Sequence, residues 1–172
     1  MGKFVLGFVA AIAALIAACC YAVKSGALPA GQDSKPGILE KWAAKKWLEV
    51  AMRREVPGLT SPLQPTDENL AAGVALYRAH CQVCHGGPDG TLSSIAKGLT
   101  PNPPQLAKDG VEDDPEGETY WKVAHGIRFT GMPAFSGTLS DHEMWQVALL
   151  AKHMDALPPG ARSAWLAGKP AL

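Results

Sequence analysis

Hydrophobic and polar positions change rhythm several times along this chain, and each change predicts an element. Residues 4–23 hold no charged side chain and are bracketed by Lys3 and Lys24. At 1.5 Å of rise per residue a helix of that length spans about 30 Å, one hydrocarbon core. Residues 24–37 lose all period and carry Gly26, Pro29, Gly31, Pro36 and Gly37, which predicts a flexible stalk. A helical period returns over 38–56, where Leu39, Ala43, Trp47, Val50 and Ala51 share one side and Lys41, Lys45, Glu49 and Arg53 another. Three readings of that helix stand side by side: a membrane-interface helix with Trp42 and Trp47 among headgroups, a helix packed on the following domain, or a solvated spacer. Pro57-Gly58 ends it, and residues 60–65 form a second short linker.

From residue 66 onward the pattern is that of a compact helical domain. Thr66 suits an N-cap, with Asp67 and Glu68 in the first turn where the helix dipole favours acids. Leu70, Gly73, Val74 and Tyr77 make a buried stripe, and Gly86-Gly87 stop the helix. Residues 88–115 form a long loop rich in Pro, Gly and Asp, too long to be empty in a compact domain and so expected to wrap something. A short helix over 116–125 is closed by Gly126. The last clear helix has the strongest start signal: Ser140 with Glu143 three positions later is a capping box, Leu139 staples onto Met144, and Trp145, Ala148 and Leu149 supply the buried face. Leu157-Pro158-Pro159 ends it, and the remaining tail, with Trp165, has no assigned role.

Composition adds one asymmetry. The chain carries sixteen basic and sixteen acidic side chains, but residues 1–65 hold eight basic against four acidic and residues 66–172 hold eight against twelve. The folded part therefore lacks the basic stripe that nucleic-acid binding requires. The acidic run Asp109, Glu112, Asp113, Asp114 and Glu116 lacks the ligand alternation of an EF-hand and reads as a solvated acidic loop, suited to a positively charged redox partner. The apolar N-terminal run fits an uncleaved membrane anchor, which we expect. It also fits a cleaved signal peptide, and Ile16-Ala17-Ala18-Cys19 resembles a lipobox that would place lipid on Cys19.

The chemistry concentrates in Cys81-Gln82-Val83-Cys84-His85, a C-x-x-C-H run. Two thiols three positions apart on one turn reach the two vinyl groups of a single porphyrin. The next histidine is then placed beneath the iron as proximal ligand. A dithiol redox pair would be expected in a βαβ setting, and a zinc site needs two further ligands at short spacing. The only other cysteines, Cys19 and Cys20, lie in the apolar run.

The distal ligand separates a carrier from a catalyst. His80 adjoins Cys81 and cannot circle to the opposite face, while His142, Met144, His153 and Met154 belong to the capped helix or its end. Met132 remains, between a glycine that allows close approach and a proline that stiffens the loop, with His125 the lesser alternative. The expected metal ligands are thus His85 and Met132, and the expected covalent attachment points are Cys81 and Cys84.

These residues resemble a class I monohaem cytochrome c over 66–158: a helix with Gly73 and Tyr77, the Cys81-to-His85 motif, a wrapping loop, Gly131-Met132-Pro133, and a terminal helix with Trp145. The whole chain is similar to membrane-anchored bacterial members of that class. The resemblance implies an all-α fold of three main helices and a long loop around one haem c, preceded by an anchor helix and a helical spacer. The implied boundaries are 1–24 anchor, 25–65 stalk with amphipathic helix, 66–158 cytochrome c domain and 159–172 tail. It further implies that Gly73 lets the first helix cross the last, with Tyr77 packed near Trp145 and Leu149. The Pro104 carbonyl is implied to accept the His85 Nδ1 proton, Leu106 to line the haem, and Trp121, Arg128 or Tyr120 to bind a propionate. Assembly outside the cytoplasm follows, with the haem domain on the periplasmic face of a cell membrane. The expected function is single-electron transfer between respiratory redox proteins, without nucleic acid, small-molecule substrate or catalysis of its own. The alternatives are a haem c subunit of a membrane-bound dehydrogenase or oxidase, and a peroxidase or sensor with a labile sixth ligand.

Overall fold

A computed structural model describes residues 2–28 and 30–167, and every regular element among them is helical. The chain divides into two compact units, Met1–Ser34 and Lys35–Leu172. The first contains helix α1, Gly2–Lys24, whose 23 residues bury no side chain. By length and composition α1 can cross a membrane.

The second unit contains α2 (Ile38–Glu55), α3 (Asp67–His80), α4 (Gln82–His85), α5 (Ser94–Lys97), α6 (Leu106–Asp109), α7 (Glu116–His125), α8 (Asp141–Lys152) and α9 (Pro159–Leu166). Its frame is α3 crossing α8, with α7 also on α8. The stripe Leu70, Gly73, Val74 and Tyr77 is buried on α3 as the periodicity requires. Gly73 permits the crossing: a Cβ there would overlap the Gln146 carbonyl oxygen and lie 3.1 Å from Leu150 Cβ. Both predicted caps form. Thr66 Oγ1 accepts from Asn69 N at 3.2 Å. In the box at α8, Ser140 N donates to Glu143 Oε2 at 2.8 Å and Glu143 N to Ser140 Oγ at 3.3 Å.

Two expectations need correction. Residues 159–166 are no tail but α9, which packs across α3; residues 168–172 of the expected tail lie outside the described residues. Two backbone N–H groups at its start donate to Asp67 of α3, Gly160 N at 3.0 Å and Ala161 N at 2.6 Å. Its Trp165 is buried and meets Tyr77 edge-on at 5.3 Å. Tyr77 therefore packs with Trp165 and Leu150 instead of Trp145 and Leu149, and Trp145 stacks on Tyr120 with ring centroids 4.1 Å apart. Residues 35–65 fall in one unit with α3–α9, as the second of the three readings of their helix expects. The end of α2 is held by Trp121 Nε1 donating to Glu55 Oε2 at 2.8 Å, and Ser61 N donates to Glu116 Oε1 at 2.8 Å. Nearby, Gly117 of α7 leaves room for the Leu59 backbone.

Candidate functional site

The C-x-x-C-H run leaves α3 through one tight turn. Cys81 ends α3 and opens α4, and both Cys84 N (3.0 Å) and His85 N (2.9 Å) donate back to the Cys81 carbonyl. Gly86 follows at φ +75°, and its carbonyl accepts from Tyr77 Oη at 2.8 Å. Burial pushes the Tyr77 hydroxyl above its ordinary value, which keeps it a proton donor in that bond. The turn is thus fastened from behind by the same tyrosine that α9 covers.

From the front it is fastened by the loop that follows. His85 Nδ1 lies 2.9 Å from the Pro104 carbonyl oxygen, which can only accept, so Nδ1 carries the proton and Nε2 keeps its lone pair. Burial holds the His85 imidazole below the usual range, with the Pro104 bond acting the other way. Next to Pro104, the buried Gln105 sends Nε2 to the carbonyls of Cys84 (3.2 Å) and Pro103 (3.3 Å). Pattern reading overlooked Gln105, since a glutamine inside a polar loop carries no signal until its neighbour across the chain is known.

A mainly apolar cleft of about 690 Å³, counted to its open mouth, collects the predicted residues. Cys81, Cys84 and His85 line it together with Pro104, Val123, Ile127, Gly131, Met132, Pro133 and Phe135. His80 also lines it, edge-on to Phe135 at 6.0 Å. The Met132 loop is shaped by its own backbone: Met132 N donates to Thr130 Oγ1 at 3.1 Å, Thr130 Oγ1 donates to the Ile127 carbonyl at 2.7 Å, and Ile127 N donates to the Met132 carbonyl at 3.2 Å. Gly126, at φ +65°, lets this loop pass over the end of α7, because a Cβ there would sit 2.6 Å from the Pro133 carbonyl carbon and 2.7 Å from the Met132 carbonyl oxygen. Thr130 and the positioning role of Gly126 were not read from the sequence; a serine or threonine two residues before Met132 was the available sign.

Leu106 does not reach the cleft. It packs against the core of Val74, Tyr77, Leu150, Met154 and Trp165, because α6 turns it inward; Leu99 lines the cleft instead and lies against Gly131. The propionate candidates are also displaced. Trp121 is bonded to Glu55, Tyr120 Oη donates to Asp141 Oδ1 at 3.0 Å, and Arg128 is exposed; none of the three lines the cleft. His125, the lesser ligand candidate, is exposed beside Trp121 and is likewise off the cleft wall.

The donor set fits a covalently held haem. It offers two thiols one turn apart, an imidazole with its second nitrogen already oriented, and a thioether on the same cleft. Burial, then the neighbouring Cys84, pushes the Cys81 thiol up to about 12. That is the opposite of the activated thiolate a dithiol redox pair needs.

Residues 68–149, a little under half of the chain, match the family model for cytochrome C oxidase, cbb3-type, subunit III. The match begins in the first turn of α3 and ends within α8, so it contains the attachment motif, the wrapping loop and Met132. No curated protein matches the chain.

Proposed function

We propose, from the match of residues 68–149 to a c-type cytochrome family model, that this domain is a class I cytochrome c and the chain a membrane-tethered carrier of single electrons, its haem c held by His85 and Met132. Haem iron, when bound, supplies a one-electron couple between the ferrous and ferric states. The residues of the chain fix how that couple is used. Cys81 and Cys84 would hold the porphyrin by thioether bonds, and the Pro104 carbonyl orients the His85 ring so that Nε2 is free to meet the iron. Met132 supplies a soft thioether, which favours the ferrous state relative to a second imidazole. If His85 and Met132 both hold the iron, no position would be left for a substrate, and the domain would carry electrons without transforming a molecule.

The observation that carries this reading is the convergence of both thiols, His85 and Met132 on one cleft. We read α1 as an uncleaved anchor holding the domain on the periplasmic face, with a proteinaceous donor and acceptor. The test is the optical spectrum of the oxidised holoprotein beside that of Met132→Ala. The far-red sulfur-to-iron band is expected in the parent and absent in the variant. High-spin iron in the resting parent, or a variant spectrum identical to it, rejects the assignment. Intact mass of membrane-extracted protein reports the number of haems and whether the N-terminus is retained, cleaved or lipidated at Cys19.

A second reading is favoured by the description of the matching family, an oxidase subunit. In that reading the chain is a haem c subunit of a larger complex. A stoichiometric oxidase assembly that survives detergent purification supports it; a chain that purifies alone supports the shuttle.

A further inference from the structure

Helix α2 is anchored to its domain by one end only. Leu48, Glu49, Ala51 and Met52 are half-buried, whereas every residue from 38 to 47 is exposed. The stripe that periodicity marks as the packing face points outward: Leu39 is 74 % exposed, Trp47 58 % and Val50 44 %; Ile38 (91 %) and Trp42 (63 %), which fall among the charged positions, are exposed as well. Phe129 extends the same surface. Its phenyl is 77 % exposed and lies 6.0 Å from Trp47, on a backbone at φ +63°, a conformation that a bulky residue keeps only when its surroundings enforce it.

Charge identifies the occupant. The three acids of α2 are already engaged: Glu40 accepts from Gly37 N at 3.2 Å, Glu49 pairs with Lys46 and Arg53, and Glu55 accepts from Trp121. Lys41, Lys45 and Arg54 have no acidic partner among the described residues. A lysine directly precedes each tryptophan, Lys41 before Trp42 and Lys46 before Trp47. Indole rings are enriched at bilayer interfaces, and long cationic side chains beside them reach lipid headgroups. The rest of the domain, with twelve acids against eight bases over 66–172, is repelled by an anionic surface.

We propose that the outward face of α2, with Phe129, docks on an anionic lipid bilayer and thereby orients the haem domain on the membrane. This rests on the tethered-carrier reading above. Docking keeps the Met132 loop, which carries Phe129, near the membrane surface, where integral-membrane redox proteins are reached by lateral diffusion.

Hydrogen exchange on the full-length holoprotein in vesicles of equimolar phosphatidylcholine and phosphatidylglycerol tests it. Amides of residues 38–47 are expected to exchange about tenfold or more slowly there than in phosphatidylcholine alone. Trp42→Glu/Trp47→Glu should abolish the slowing and leave the haem spectrum unchanged, which shows that the domain is still folded. Equal exchange in both vesicles, in a chain that floats with them, overturns the docking face and leaves the anchor standing. Slowing that requires an added redox protein overturns it in favour of a protein interface. A chain that does not float with either vesicle overturns both the anchor and the docking.

Discussion

Gly126 and Met132 are separated by six positions in sequence, yet the first decides where the second can stand. Gly126 has φ +65° and lies directly against the backbone from Met132 to Ala134. A side chain there meets two penalties, left-handed strain of about 1–2 kcal/mol and overlap with the ligand loop. Gly126→Ala is therefore expected to displace Met132 and, on the proposed ligation, to weaken or remove the far-red band while the proposed thioether attachments at Cys81 and Cys84 remain, as mass spectrometry would record. An unchanged band in that variant means that the loop adjusts freely and that Gly126 does not position the ligand. Glu143 is a residue of a different kind, working on stability alone. Hydrogen bonds from Ser140 N–H and hydroxyl hold its carboxylate below the usual range. Its contribution is thus present above the ordinary carboxylate range and lost as pH falls through the depressed value. Glu143→Gln keeps a capping-box side chain but cannot titrate, so thermal melts from pH 7 to pH 3 should show the parent losing stability relative to the variant on the acid side.

At the scale of elements, the crossing of α3 on α8 is the joint from which the rest is hung. Gly73 costs about 1 kcal/mol as a helix residue relative to alanine, and the close approach of the Gln146 carbonyl explains why it is there. Gly73→Ala recovers that propensity but overpacks against backbone, which yields less readily than a side chain. A net loss of about 1–2 kcal/mol is expected from chemical denaturation; a stabilised variant means that the two helices can separate at little cost. The crossing was readable in outline because glycine stood on an otherwise apolar stripe. The orientation of α2 was not, because its apolar stripe and its packed face are different faces, and periodicity reports only the first. Leu106 failed for a similar reason: a leucine after Pro104-Gln105 fits either the cleft or the core, and α6 decides between them.

Across the whole domain, a segment without an assigned role proves to close the core. α9 covers Tyr77 with Trp165, and Tyr77 in turn holds the Gly86 carbonyl behind the attachment turn. Asp67 is the clasp, accepting from Gly160 and Ala161 at the start of α9. Asp67→Ala should cost about 0.5–2 kcal/mol, in the range of a lost helix cap, with faster amide exchange confined to residues 160–165. Uniformly faster exchange would place Asp67 in the global fold instead.

Local chemistry accounts for what the sequence by itself determined. A C-x-x-C-H motif, a Gly-Met-Pro turn and a capping box each act within a few residues of chain, so the candidate haem-binding set, the helix starts and the all-helical class are written in adjacent letters. Tertiary structure alone decided that α9 belongs to the core, that Gln105 and Pro104 brace the attachment turn, that Leu99 replaces Leu106 at the cleft, and that α2 turns its apolar stripe outward. Each of these depends on contacts between residues distant in the chain, where one side chain's environment is set by backbone that no local pattern specifies.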